Sequence, residues 1–133
     1  MKHFKSFTAF TALILIMAAC GGPEDGVAFG NLKDGDTVSS PLKVEFLVYG
    51  KTIKPAGTEE EGTGHHHIII DGGSIQAGQV VPADDTHIHF GKGQTETTLD
   101  LSPGEHTLTL QFADFAHRSF GGKWSKTITV TVE

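Results

Sequence analysis

The chain has 133 residues, with 10 Lys and Arg against 16 Asp and Glu, eight histidines and a single cysteine, for a formal net charge of −6. That sign argues against nucleic acid and anionic lipid headgroups as partners, and one cysteine allows no intramolecular disulfide. The length suits one domain with a single modest core, stabilised by packing or by a metal.

The N-terminal segment "MKHFKSFTAFTALILIMAAC" pairs a basic start (Lys2, Lys5) with an apolar run from Ala9 to Ala19. The run is too short for a stable membrane span, and small residues follow it, so residues 1–19 read as a secretion signal. Its end, Met17-Ala18-Ala19-Cys20, resembles a bacterial lipoprotein lipobox, with Met17 where Leu is commoner. The resemblance implies cleavage before Cys20 and lipidation of that cysteine. Gly21, rather than Asp, follows it, which in Gram-negative lipoproteins favours the outer membrane. The expected location is therefore the cell envelope, on the periplasmic face of the outer membrane, with the membrane touched only through the N-terminal lipid. Without Lys2 and Lys5, eight basic residues face sixteen acidic ones.

Residues 20–26 carry the lipidated cysteine and a short polar tether, "GGPEDG", with too few apolar side chains to fold. Residues 27–133 read as one all-β domain, an immunoglobulin-like antiparallel β-sandwich of about seven strands. Turn-forming clusters punctuate it: "KDGD" at 33–36, "SSP" at 39–41, "DGG" at 71–73, "SPG" at 102–104 and "GG" at 121–122. Between them apolar residues alternate with polar ones. Leu42, Val44, Phe46 and Val48 share one face, as do His106, Leu108, Leu110 and Phe112, and Ile128, Val130 and Val132. Segments 27–30, 65–71, 87–90 and 95–101 complete the set, and no stretch after the signal keeps a helical period for two turns. The stretch "GTEEEGTG" at 57–64 is a solvated acidic loop.

Chemistry concentrates in "GTGHHHIIID" (62–71) and "HIHFGKGQTE" (87–96). On the first strand His66, Ile68 and Ile70 take the core face, with His66 at the rim, while His65 and His67 project from the opposite face. On the second, Ile88 and Phe90 claim the core, so His87 and His89 share the outward face. Cβ atoms in an H-x-H pair lie roughly 7 Å apart, within reach of one ion. If the two strands pair, four imidazoles converge. Neutral imidazole suits copper and zinc, and the cleaved chain would carry neither Met nor a free thiol to add sulfur. The expected ligands are thus His65, His67, His87 and His89, with His117 as a further contributor. His66, His106 and Asp114 form a second tier, metal-binding or structural. Asp71, Asp84, Asp85 and Glu96 are the carboxylates available to accept from the far ring N–H groups. A buried hydrogen-bond network, or a wet face enriched in histidine by chance, would account for the same clustering.

Other motifs carry less. "GKGQTE" lacks the phosphate-loop spacing, and no G-x-S-x-G elbow marks a hydrolase. In "DFAHRSFGGKW" (114–124) the aromatics Phe115, Phe120 and Trp124 suit capping the open end of the sandwich, or a ligand platform.

The segments "GTGHHHIIIDGG", "VPADDTHIHFGKGQTETTLDLSPGEHTLTLQFADFAH" and "SKTITVTV" together resemble the bacterial domain of unknown function 4399 family, over roughly residues 27–133. The resemblance implies a secreted or lipid-anchored domain, and it carries no established reaction. Its pattern includes His65, His66, His67, His87, His89, His106, Asp114 and His117, whereas "RSFGGKW" departs from the proline-rich segment usual there. "HIHFG" also has a likeness to the copper-ligand stretch of copper–zinc superoxide dismutases, whose disulfide this chain cannot form. The functions to be weighed are a metal-binding module that stores, buffers or delivers copper or zinc, an envelope interaction module with structural histidines and an unknown protein partner, and a dismutase-like redox enzyme.

Overall fold

The computed structural model describes residues 21–133, so the expected signal segment and the lipidation site at Cys20 lie outside the described residues. Within them the chain forms β1 (Gly26–Phe29), β2 (Thr37–Val38), β3 (Leu42–Tyr49), β4 (Thr52–Ile53), β5 (Thr63–Ile70), β6 (His87–His89), β7 (Glu96–Leu99), β8 (Gly104–Ala113) and β9 (Ser125–Val132), plus one 3-10 turn at Gly122–Trp124. One sheet has the order β1-β3-β7. The other has the order β2-β9-β8-β5, and β5 carries both β4 and β6 on its far edge. Strands distant in sequence lie side by side in each sheet, the Greek-key arrangement expected of an immunoglobulin-like sandwich.

Seven of these strands answer to the alternating segments. β2 and β4 are additions, each only two residues long and so too short to show any alternation. They also depart from the antiparallel expectation, because β2 runs parallel to β9 and β4 parallel to β5. An edge strand that arrives by a crossover, not through a hairpin, is free to pair in parallel.

The core follows from the pleat. In β3 the side chains of Leu42, Val44 and Phe46 are buried while Lys43 and Leu47 face out. Opposite them stand Leu108, Leu110 and Phe112 of β8, Ile128, Val130 and Val132 of β9, and Ile68 of β5, all buried. Register aligns them, with Ile68 opposite Leu110 and Leu108 opposite Ile128. Burial of each such side chain contributes about 1.5–3 kcal/mol.

The outer face of the larger sheet is covered as well. After β5 the chain crosses it as an extended strap, residues 72–84, which is pinned at several points. Ile75 N–H donates to Gln111 Oε1 at 3.0 Å and Ser119 Oγ donates to Ile75 O at 2.8 Å. Gly78 N–H donates to Ser119 O at 2.8 Å, Ser119 N–H donates to Gln79 O at 2.9 Å, and Val81 N–H donates to His117 O at 2.9 Å. Thr109, Gln111 and Ile69, which share that face, are consequently buried. This strap sets the environment of the histidines.

Candidate metal centre

β5 and β6 do pair, antiparallel, with His67 opposite His89 and Ile69 opposite His87. His65, His67, His87 and His89 therefore stand on the outer face, and His66 and Ile88 on the core face. The strap changes what the outer face is. His65 is 0% exposed and His67 2%.

Three Nε2 atoms converge there. His89 Nε2 lies 3.1 Å from His65 Nε2 and 3.1 Å from His117 Nε2. His65, His67 and His89 each offer a ring nitrogen, all within 4.8 Å of one another, a set that can hold a metal ion. Two nitrogens bound to one ion at about 2.0–2.1 Å, at square or tetrahedral angles, stand about 2.8–3.4 Å apart, which matches the two 3.1 Å contacts. The fourth ring, His117, packs edge-on against His65 at a centroid separation of 5.1 Å and lies 4.7 Å from His89.

His117 reaches the site from the loop after β8, and that loop is tightly organised. Asp114 Oδ1 accepts from Ala116 N–H and Arg118 N–H, both at 2.9 Å, and Asp114 Oδ2 accepts from Arg118 Nε–H at 2.8 Å. The wrapped turn holds His117 at φ 65°, a left-handed backbone that histidine adopts more readily than bulkier residues. Asp114 is thus a loop organiser.

Gly91 is a contributor that the sequence reading passed over. A Cβ on Gly91 would clash with the Cε1–Nε2 edge of the His89 imidazole, so the absence of a side chain there makes room for the ring. The signal was present, because a residue two places on from His89 shares its face of an extended chain.

His87 does not join the cluster. Its Nδ1 pairs with Asp84 Oδ1 at 2.7 Å, and the same oxygen accepts from His87 N–H and Thr86 N–H at 3.0 Å. A carboxylate three residues away, within one turn, outcompetes a site across the face for that ring. His66 is interior, not at the rim as expected: it is 0% exposed, between the rings of Phe46 and Phe112. His106 is held on the other side of the domain, with Nδ1 3.0 Å from Asp71 Oδ2 and Nε2 2.8 Å from Ser102 O. Asp71, expected to support a metal-bound ring, serves His106 instead. Glu96 is drawn to Lys43, and Asp84 serves His87 and Thr86. The Nδ1 atoms of His65 and His67 are buried with no hydrogen-bond partner among the described residues.

At His65, His67 and His89 the surroundings favour the neutral ring, the form that metal ligation requires. Burial, then the neighbouring histidines His89 and His117, push the His65 pKa down to about 4, against a smaller opposing effect of Asp114. His67 is lowered to about 3 by burial first, then by the other three rings of the cluster. His89, more open, is lowered by burial and by His117. His106 moves the other way, raised by the Ser102 carbonyl and then by Asp71, because both partners accept from its charged form.

At the end of the sandwich Phe120 stacks on Phe112 at 6.1 Å, and Lys51 Nζ lies 4.1 Å from the Phe120 centroid and 4.8 Å from that of Trp124. These aromatics cap the domain under a lysine of the same chain.

No curated protein matches the chain. Among solved structures, the X-ray structure of the endo-beta-1,4-mannanase from Thermotoga petrophila is similar at 18% identity and a TM-score of 0.49, over 87% of this chain and 21% of that one. The chain therefore spans about a fifth of that protein's length. The family described as a domain of unknown function, DUF4399, matches residues 44–133, a range that holds every histidine of the cluster, and the chain belongs to that family.

Proposed function

We propose that this domain is a transition-metal-binding module that holds one copper or zinc ion at His65, His67, His89 and His117 for storage, buffering or delivery. The observation that carries the reading is that two Nε2 atoms, those of His65 and His117, each lie 3.1 Å from the Nε2 of His89, with a nitrogen of His67 within 4.8 Å of those of His65 and His89. A ring nitrogen has one lone pair or one hydrogen, so His89 Nε2 cannot make two good hydrogen bonds to two other ring nitrogens. A single cation uses all of their lone pairs at once. An all-nitrogen, neutral donor set favours Cu²⁺ over Zn²⁺ in affinity, with supply deciding between them. His89 is exposed, which supports an ion that enters and leaves. Acylation at Cys20 would tether the module in the cell envelope.

The test is titration of the chelator-stripped full chain with Cu(II) and Zn(II), followed by calorimetry and by thermal unfolding. Metal at a hundredfold excess over Kd should add about 2.7 kcal/mol to stability. His65→Ala and His89→Ala should abolish that increment, and His87→Ala should keep it. Affinity no tighter than about millimolar for either ion, a level that surface histidine pairs reach unaided, would sink the reading.

A further inference from the structure

We infer that the ion proposed at this cluster keeps one coordination position open toward a small preformed cavity, and that this position takes an exogenous monodentate donor, uncharged or singly charged. The inference rests on the metal reading above. A cavity of about 200 Å³ adjoins the site, and His67, His89 and His117 form one of its walls. His65 does not line it and is fully buried, so its ring reaches the cluster from the interior and leaves the cavity side clear. A ligand arriving through the cavity meets the ion on the face that His65 leaves free.

The other wall selects the ligand. It is made by Val80, Val81, Pro82 and Ala83 of the strap, none of which carries a charged or hydrogen-bonding side chain. A multiply charged oxyanion entering there would lose hydration and find no charged or hydrogen-bonding side chain on the strap wall to replace it, a loss that costs several kcal/mol in general. A small donor with an apolar or weakly charged body, such as an imidazole, a thioether or a linear monoanion, loses far less. Size sets a second limit, because sites for drug-sized ligands span about 300–1,000 Å³, so this one takes a few heavy atoms. The wall is held in place by the Val81 N–H bond to His117 O at 2.9 Å and by the bridge between Val80 and Arg118. Its mouth is open, with Val80 61% exposed.

The probes are azide, imidazole and phosphate, added separately to the full chain loaded with Cu(II). Loading is established first by nitrogen hyperfine structure in the electron paramagnetic resonance spectrum. Azide should then produce a saturable azide-to-copper charge-transfer band, and imidazole should shift the copper spectrum, while phosphate at equal concentration does neither. Ala83→Trp, at an exposed position on the cavity wall, should weaken azide by at least about tenfold while the unliganded copper spectrum is retained. Val80→Trp at the mouth gives an independent second obstruction should the first variant fold poorly. Copper bound through nitrogen with no response to azide or imidazole overturns this inference and leaves the metal reading standing. Failure to bind copper at all overturns both. Phosphate binding as tightly as azide refutes the charge class, and undiminished azide affinity in the copper-loaded tryptophan variants refutes the cavity.

Discussion

Replacing His66 by leucine removes an imidazole held in the core, 5.2 Å from the Phe46 ring and 4.9 Å from the Phe112 ring. Both of its nitrogens are buried without a hydrogen-bond partner among the described residues, and burial, then the neighbouring His65, push its pKa down from 6.5 to about 3. In the unfolded chain the same ring ionises near pH 6.5. A histidine with a depressed folded pKa takes its proton first in the unfolded state. Its contribution to stability is therefore complete above about pH 6.5 and is lost as pH falls toward the folded value. The slope is about 1.4 kcal/mol per pH unit for each such ring, or about 2 kcal/mol between pH 7 and pH 5. His65 and His67, depressed to about 4 and about 3, add in the same direction. The three together should remove about 6 kcal/mol over that range, comparable to the whole stability of a small domain. Leucine has no proton to gain and leaves no unsatisfied nitrogen, each of which costs about 1–3 kcal/mol. His66→Leu should thus leave stability at pH 7 unchanged or higher and cut the acid loss by about a third. Urea unfolding of the full chain with chelator present, at pH 7, 6 and 5, reads both effects. A wild-type stability that stays flat from pH 7 to 5 would refute the reasoning. So would a variant with the wild-type slope, or one destabilised by more than about 2 kcal/mol at pH 7, since that cost implies nitrogens that are bonded in solution.

Gly91→Ala should weaken copper or zinc binding by at least about tenfold while all four ligands remain, because the added methyl displaces the His89 ring; calorimetry on the variant checks it. His106→Ala should lower stability equally with and without metal, since its partners are Asp71 and Ser102. The raised pKa of His106 means that its contribution is complete below about pH 6.5 and is lost as pH rises through the folded value, so the deficit of the alanine variant should shrink in alkali. Cys20→Ser should release the protein from membranes into the soluble fraction, and unchanged fractionation with membranes would remove the lipid anchor from the proposal.

The strands were legible wherever alternation ran for four or more residues. Leu42, Val44 and Phe46, or Leu108, Leu110 and Phe112, declare their face through a local geometric rule that no distant contact can overturn without breaking the ladder. The same rule sorted the triple histidine correctly, with His66 against the core and His65 and His67 on the other side, and it put His87 and His89 on that second side too. It could not say whether a shared face means a shared site. His87 is on the face yet turns to Asp84, because side-chain torsions answer to the nearest strong partner, and "DDTH" supplies one within three residues.

The sequence by itself determined the period-2 strands, the two faces of β5 and the nitrogen-rich character of one of them, since each of these is set by residues two apart along an extended chain. Tertiary structure alone decided that this face is buried, that His117 replaces His87 as the fourth ring, and that a cavity opens beside it. Those outcomes depend on the strap 72–84, which has no periodicity of its own and is positioned by hydrogen bonds to residues 111 and 117–119, more than thirty places further along the chain. They depend equally on a left-handed turn at His117 that Asp114 and Arg118 close. Contacts of that sequence separation leave no local pattern, because the chain between them is free to be anything that reaches.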